Sequence, residues 1–422
     1  MADETHSSEL AKRIGPQFGA DRVRVPTVLE ATAARIIFEP ASVGEICEVV
    51  RMCETDRVTL APIGAARTLS QIRRSPVAVG ISLKRLARIV AYEPDDMTVV
   101  AEAGLTVSDF NAVAAAARQR LPVDPPNPNL TTFGSLIGAS QAGPLRLSEG
   151  TARDLLIGIR FVGHGGRVIH GGGRVVKNVA GYDLMKVMGG AFGTLGVITE
   201  ATFKVRPIPP QYRLAIVPYE RAADAFGAAS ALNFALPMSH VEILSPSLSA
   251  RFDAPKKFLL MAGFSGTSPE IGYQAEKIRE LLGGAGEILD DQPARERYEM
   301  LRDFDWSAMP LAAQIATRPA GLARALGAAG VEFRAHAGSG VAQMFVETTA
   351  SSDDARKIVD RWREIAHAER GHLRILAAAD AVRDDLQMFD LPNEGALRLM
   401  RQLKSAFDPA TIFNPACFVG GI

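Results

Sequence analysis

Glycine is the residue whose placement in this chain most suggests chemistry. Four separated places stand out among the chain's 38 glycines: Gly64, Gly134 with Gly138, Gly171 to Gly173, and Gly189 to Gly196. A bound pyrophosphate needs main-chain N–H groups that approach closely and backbone that takes positive φ, and glycine supplies both at no steric cost. Glycines spread over several strand ends can assemble such a cradle without one long motif. They can equally do no more than turn the chain between strands. The familiar fingerprints do not decide the matter. No Gly-x-Gly-x-x-Gly follows a strand, no Walker sequence is present, and Gly189, Gly190, Gly193 and Gly196 have the wrong spacing for either. Serine and cysteine nucleophile motifs are absent as well.

Cys47, Cys53 and Cys417 are too scattered for a disulfide framework, an iron–sulfur cluster or a zinc site. They read as small buried hydrophobes in a reducing compartment. His170, His240, His367 and His372 have no partners in sequence and read as structural. No metal site is expected.

The elements that must position these residues follow from composition and pattern. A chain of 422 residues is long enough for two domains, and 47% apolar with 22% charged residues is an ordinary globular balance. Lys+Arg and Asp+Glu both number 47, so no basic surplus points to nucleic acid or an anionic membrane surface. No uncharged apolar run reaches the roughly 18 residues of a membrane span. A cytoplasmic protein is expected, with any membrane attachment made through a partner. Residues 1–30 read as a loose leader. From 31 to 207, short strands alternate with short helices: a strand at Ile36–Phe38, a helix capped by Ser42 with Glu45 three positions on, and strands at Arg57–Ile63, Ala78–Ser82 and Met97–Ala101. An alanine-rich helix over Thr106–Ala117, a proline-rich turn over Leu121–Asn129 and a helix near Gly134–Ala139 come next. Strands at Leu155–Val162, Arg167–His170 and Val197–Val205 follow, with a helix near Gly181–Met188 between the last two. Pro207, Pro209 and Pro210 close the block. Residues 208–422 form a second domain of strands (Leu214–Val217, Val241–Leu244, Phe258–Phe264, Ala342–Glu347) and helices (Glu270–Leu282, Ala355–Arg370, Glu394–Phe407). That texture predicts an α+β domain with an antiparallel sheet covered by helices. No internal repeat is visible.

Several stretches in consistent order carry a resemblance: Tyr92 to Thr98, Leu121-Pro122 with Pro125-Pro126, Thr131 to Ala139, Gly143-Pro144, Arg153-Asp154, Val176 to Leu184 and Phe192 to Glu200. Over about residues 36–207 the chain resembles FAD-linked oxidases of the vanillyl-alcohol-oxidase superfamily, in particular the FAD-binding subunits of bacterial glycolate oxidases. The resemblance implies an α+β fold: a two-subdomain FAD-binding domain of the p-cresol-methylhydroxylase (PCMH) type, then the α+β domain. It assigns Pro62, Ile63, Gly64, Ala65, Ala66, Arg67 and Thr68 to a loop over the pyrophosphate. It sets Thr131, Thr132, Gly134, Ser135, Gly138 and Gly143 along the isoalloxazine and ribityl chain, and gives Gly196, Val197 and Ile198 backbone contacts. That loop usually holds several glycines, so alanine at 65 and 66 is expected to alter the cradle. Neither Pro62–Ser70 nor Leu130–Pro144 contains His or Cys, so non-covalent FAD is expected.

A fainter resemblance covers about 210–420. Asp408-Pro409 and Ile412 to Pro415 look like the closing motif of the same oxidases, in which Asn414 would reach back toward the flavin; Ala416-Cys417 stand where glycine and a basic residue are usual. Ala335 to Gly340 resembles the metal-binding stretch of the hydroxy-acid oxidases, but Gln343 replaces the second histidine, and no Glu-His pair occurs in Ala377–Leu386. His336 is then a general base or substrate contact, or a hydrogen-bonded structural residue. The function implied is an FAD subunit of a glycolate (2-hydroxy-acid) oxidase complex, with a larger flavin subunit and an iron–sulfur subunit as partners. The alternatives are an autonomous FAD oxidoreductase acting on another alcohol or hydroxy acid, and a non-catalytic interaction subunit.

Overall fold

Ser42 accepts a hydrogen bond from the Glu45 N–H and starts the helix Val43–Asp56, as its capping pattern predicts. Ile46, Val49, Val50 and Cys53 form the buried stripe of that helix, and Arg57 ends it in the left-handed conformation. The helix is the crossover that lets strand Ala34–Phe38 and strand Leu60–Ile63 run parallel on either side of Val77–Ser82. Every residue of Val77–Ser82 is buried, as a strand covered on both faces requires. This computed structural model describes residue 10 and residues 12–72, 76–173, 182–349, 351–383 and 385–422. Two compact units emerge: 1–141 with 151–207 and 391–422, and 142–150 with 208–390.

In the first unit, a second sheet is antiparallel throughout, in the order Ile89–Glu93, Thr98–Glu102, Val197–Lys204, Leu156–Gly163, Arg167–Gly172. The helix Phe133–Gly138 packs on its central strand through Phe133. The Phe133 ring meets Phe203 edge-on at 5.5 Å between centroids and Phe110 at 5.9 Å. Such edge-to-face pairs each add about 0.5–1.5 kcal/mol to the burial of their area.

Two boundaries differ from the sequence reading. The stretch 1–30 is not a loose leader where it is described: Leu10 and Ile14 are buried in the first core, and Thr27 with Glu30 forms a capping box on the helix Val28–Ala31. The segment 391–422, assigned by pattern to the second domain, groups with the first unit. Its Ile412 carbonyl accepts from the Leu60 N–H at 2.8 Å, and the Asn414 N–H returns to the Leu60 carbonyl at 2.6 Å. Motif residues Val176 to Gly181 lie outside the described residues.

The second unit is one eight-stranded antiparallel sheet. Its chain order is a β-α-β-β-α-β run made twice. The first run is Gln211–Tyr219, helix Ala222–Ala235, His240–Leu244, Phe258–Gly266, helix Ser268–Leu281 and Glu287–Asp290. The second is Leu311–Ala316, helix Pro319–Ala329, Glu332–His336, Val341–Val346, helix Ser352–Ala368 and His372–Ala378. The second strand of each run pairs with its counterpart, setting Glu242 opposite His336 and Leu244 opposite Arg334. The antiparallel sheet matches the expectation; the repeat does not, because the two halves share topology rather than residues.

Candidate functional site

The first unit encloses a cavity of about 410 Å³, within the range of a small-molecule or cofactor site. Its walls come from segments far apart in sequence. Strands Leu60–Ile63 and Val77–Ser82 deliver Ile63 and Ser82 at their C-terminal ends, where parallel strands characteristically open a ligand crevice. The loop from Pro62 continues through Gly64, Ala65 and Ala66 to Arg67 and Thr68. Helix Phe133–Gly138 contributes Gly134, Ser135 and Gly138, with Thr131 and Thr132 before it. Thr132 caps this helix: its hydroxyl accepts from the Ser135 N–H, and the Ser135 hydroxyl oxygen accepts from the Thr132 N–H. Gly193, Gly196 and Ile198 complete the opposite side.

The positions that need glycine are set by closeness and by φ. A Cβ on Gly64 would lie 3.2 Å from Ser135 Cβ, and one on Gly134 3.2 Å from the Ala103 carbonyl oxygen. Gly196 holds φ of 148°, with the Val162 carbonyl oxygen 2.6 Å from any added Cβ. In the loop, Ala66 rather than glycine takes positive φ, at 57°. The loop thus makes a left-handed turn on alanine, at a strain of about 1–2 kcal/mol. Arg67 and Lys84 stand on the cavity wall, cations suited to a diphosphate, beside an Arg24 whose charge is met by carboxylates. Arg24 pairs with Glu30 at 2.8 Å and Glu39 at 2.7 Å. Its bond to Glu30 holds that carboxyl down to about 2 despite burial, so the pair stays ionised at the rim.

Of the residues singled out from sequence, Pro62 to Thr68, Thr131, Thr132, Gly134, Ser135, Gly138, Gly196 and Ile198 share this one cavity. Val197 points the other way into the core, because successive strand residues face opposite sides. Gly143 groups with the second unit. Asn414 is fully buried and does not reach the cavity; its amide donates to the Phe192 carbonyl and so braces the wall from behind. Sequence reasoning missed Arg24, Thr27, Glu30, Ser82, Lys84 and Gln141. For Ser82 a signal existed, a hydroxyl ending an otherwise apolar strand.

His336 lies in the second unit, 2% exposed, at the seam between the two β-α-β-β-α-β runs. Its Nδ1 meets Glu242 Oε1 at 2.6 Å, and its Nε2 lies 3.2 Å from the Gln343 amide, which Arg334 holds in turn. Both ring nitrogens are occupied. Among the described residues no group of three His, Cys, Asp or Glu is placed to hold a metal ion. His240, fully buried beside this pair, contacts the Tyr212 hydroxyl at 2.9 Å and packs on Tyr298.

Burial lowers the His240 imidazole to about 4, outweighing the pull of Glu242, and His336 is lowered for the same reason. Protons therefore bind the unfolded chain first. Stability is complete above the ordinary histidine value of 6.5 and falls as pH drops toward 4. His240 alone is expected to remove on the order of 3 kcal/mol across that window. Urea unfolding at pH 7 and pH 4.5 checks this: His240→Gln should flatten the difference, and an unchanged slope would refute it.

Residues 34–172 match the FAD binding domain family, and residues 386–417 the C-terminal domain of FAD linked oxidases. Glycolate oxidase subunit GlcE of Escherichia coli is 39% identical over 122 residues, which are 29% of this chain and 35% of that relative. Glycolate oxidase subunit GlcD of Bacillus subtilis is 26% identical over 414 residues, covering 90% of this chain and 87% of the relative. Among solved structures, a 4-ethylphenol oxidase from Gulosibacter chungangensis shares the fold with a TM-score of 0.71 at 14% identity, over 98% of this chain and 97% of that one.

Proposed function

We propose that the chain is an FAD-linked oxidase and the FAD-binding subunit of a complex that oxidises glycolate or a related 2-hydroxy acid. FAD is its cofactor. The observation that carries the reading is the meeting of Pro62–Thr68, Thr131–Gly138 and Gly193–Ile198 around one cavity whose walls combine close backbone, hydroxyls and guanidinium groups. When bound, FAD accepts the hydride equivalent, and the protein supplies binding and orientation. Arg67 and Lys84 would offset the diphosphate charge. The Thr132–Ser135 cap fixes the helix along which the remainder of the cofactor would lie. No cavity-lining residue among those described is His or Cys, which supports non-covalent attachment. The resemblance to glycolate oxidase subunits supports a larger flavin subunit and an iron–sulfur subunit as partners, the latter taking the electrons.

One observation favours a second reading, in which this subunit holds FAD while a partner meets the substrate: His336 is enclosed and bonded at both nitrogens, leaving no free lone pair for a substrate proton. The purified chain should show flavin absorbance that passes to the supernatant on acid precipitation. Anaerobic glycolate should then bleach it. Bleaching only after a flavin-containing partner is added supports the second reading, and a chain that stays colourless with excess FAD refutes both.

A further inference from the structure

Gln141 is held in place from two sides. Its N–H donates to the Leu136 carbonyl at 3.2 Å, which fixes the turn after helix Phe133–Gly138. Its side-chain amide donates to the Thr68 hydroxyl at 3.1 Å, on the loop that begins at Pro62. The side chain lines the cavity, yet its carbonyl oxygen is buried with no hydrogen-bond partner. Among the described cavity-lining side chains it is the one buried polar atom in that condition. A buried amide oxygen bonds strongly when given a donor and is costly to leave without one, so such an orphan calls for an explanation. Here the surroundings supply one, because the residue stands where two segments of the cofactor cavity converge.

We propose that Gln141 is a cofactor-binding residue whose side-chain carbonyl accepts a hydrogen bond from a neutral O–H or N–H donor of FAD. The inference rests on the FAD reading of this cavity. The bond to Thr68 holds the amide at the cavity wall, and it ties the loop Pro62–Thr68 to the same contact. FAD binding thereby organises both segments together.

Full-length chain stripped of flavin, titrated with FAD and followed by flavin fluorescence, tests this. Gln141→Leu should weaken binding about tenfold, the loss of one buried hydrogen bond. Gln141→Glu should stay within about threefold of wild type, since a carboxylate accepts from FAD with one oxygen and from the Thr68 hydroxyl with the other. Flavin-free Gln141→Leu should melt no lower than wild type, since it removes the unpartnered oxygen along with the Thr68 bond, separating a lost contact from a lost fold. Wild-type affinity in Gln141→Leu overturns the proposal. So does a Gln141→Glu protein as weak as Gln141→Leu, which would make the cofactor-facing end a donor. A wild-type chain that takes up no FAD overturns the cofactor reading itself, and this inference with it.

Discussion

Gly138→Leu is expected to lower FAD affinity on the order of 100-fold while leaving the flavin-free protein at least as stable as wild type. Gly138 ends the helix Phe133–Gly138 and faces the cavity. A Cβ built on it meets no atom within 4 Å, and its φ is not in the left-handed region, so a side chain there projects into the cavity at no cost to the fold. The other glycines of the wall lack this freedom. A Cβ on Gly104 would fall 1.9 Å from the Leu83 carbonyl oxygen, and Gly193 combines φ of 70° with Pro62 at 2.5 Å. Substituting either would damage the fold before it reported on the cofactor. Leucine is also a better helix former than glycine, by about 0.5–1 kcal/mol. Flavin content after purification and the melting temperature of the stripped protein give the two readouts. Gly138→Ala should keep most of its flavin, and a fully yellow Gly138→Leu protein would place FAD elsewhere.

The sequence exposed the first unit more fully than the second, for reasons visible in particular residues. Strands such as Val77–Ser82 and Thr98–Glu102 are short apolar runs between turn residues, and Ser42 with Glu45 marks a helix start that needs no tertiary knowledge. Helix Ala222–Ala235 is alanine-rich on every side, so no apolar face distinguishes it, and strand Leu311–Ala316 is too short and alanine-rich to read. The duplicated topology of the second unit was hidden because the copies preserve the order of elements while their residues differ. In the site, the loops that resemble FAD-linked oxidases were legible. Arg24, Thr27 and Glu30 were not, since a short N-terminal helix becomes a cavity wall only once Arg24 bridges Glu30 and Glu39. The position of Asn414 was equally hidden: its contacts to Leu60 and Phe192 join residues hundreds of positions apart.

That distant contact is held by a buried ion pair, and breaking the pair should have the largest effect on stability. Lys404 Nζ donates to Asp408 Oδ2 at 2.5 Å and to the carbonyls of Thr194 and Phe413, both at 2.8 Å. Asp408 in turn accepts from the N–H groups of Ile412 at 3.1 Å and Phe413 at 2.9 Å. The two side chains are 9% and 0% exposed. Burial lowers the Lys404 ammonium from its ordinary value more than Asp408 raises it, and three protein acceptors stand where water would otherwise solvate it. Lys404→Met removes the cation, strands two carbonyls and leaves Asp408 buried without a counter-charge, an expected loss of about 3–5 kcal/mol. The consequence reaches the cavity, because Thr194 lies between Gly193 and Gly196 on its wall, and Phe413 runs beside Leu60 at the start of the Pro62 loop. FAD retention should fall along with the melting temperature. Replacing both charges, as Lys404→Met with Asp408→Leu, should recover part of the loss, since two apolar side chains leave neither charge unpaired. Chemical denaturation of the single and double variants measures the coupling. A double variant less stable than Lys404→Met would mean that Asp408 holds the tail through its two N–H bonds, with the lysine contributing little.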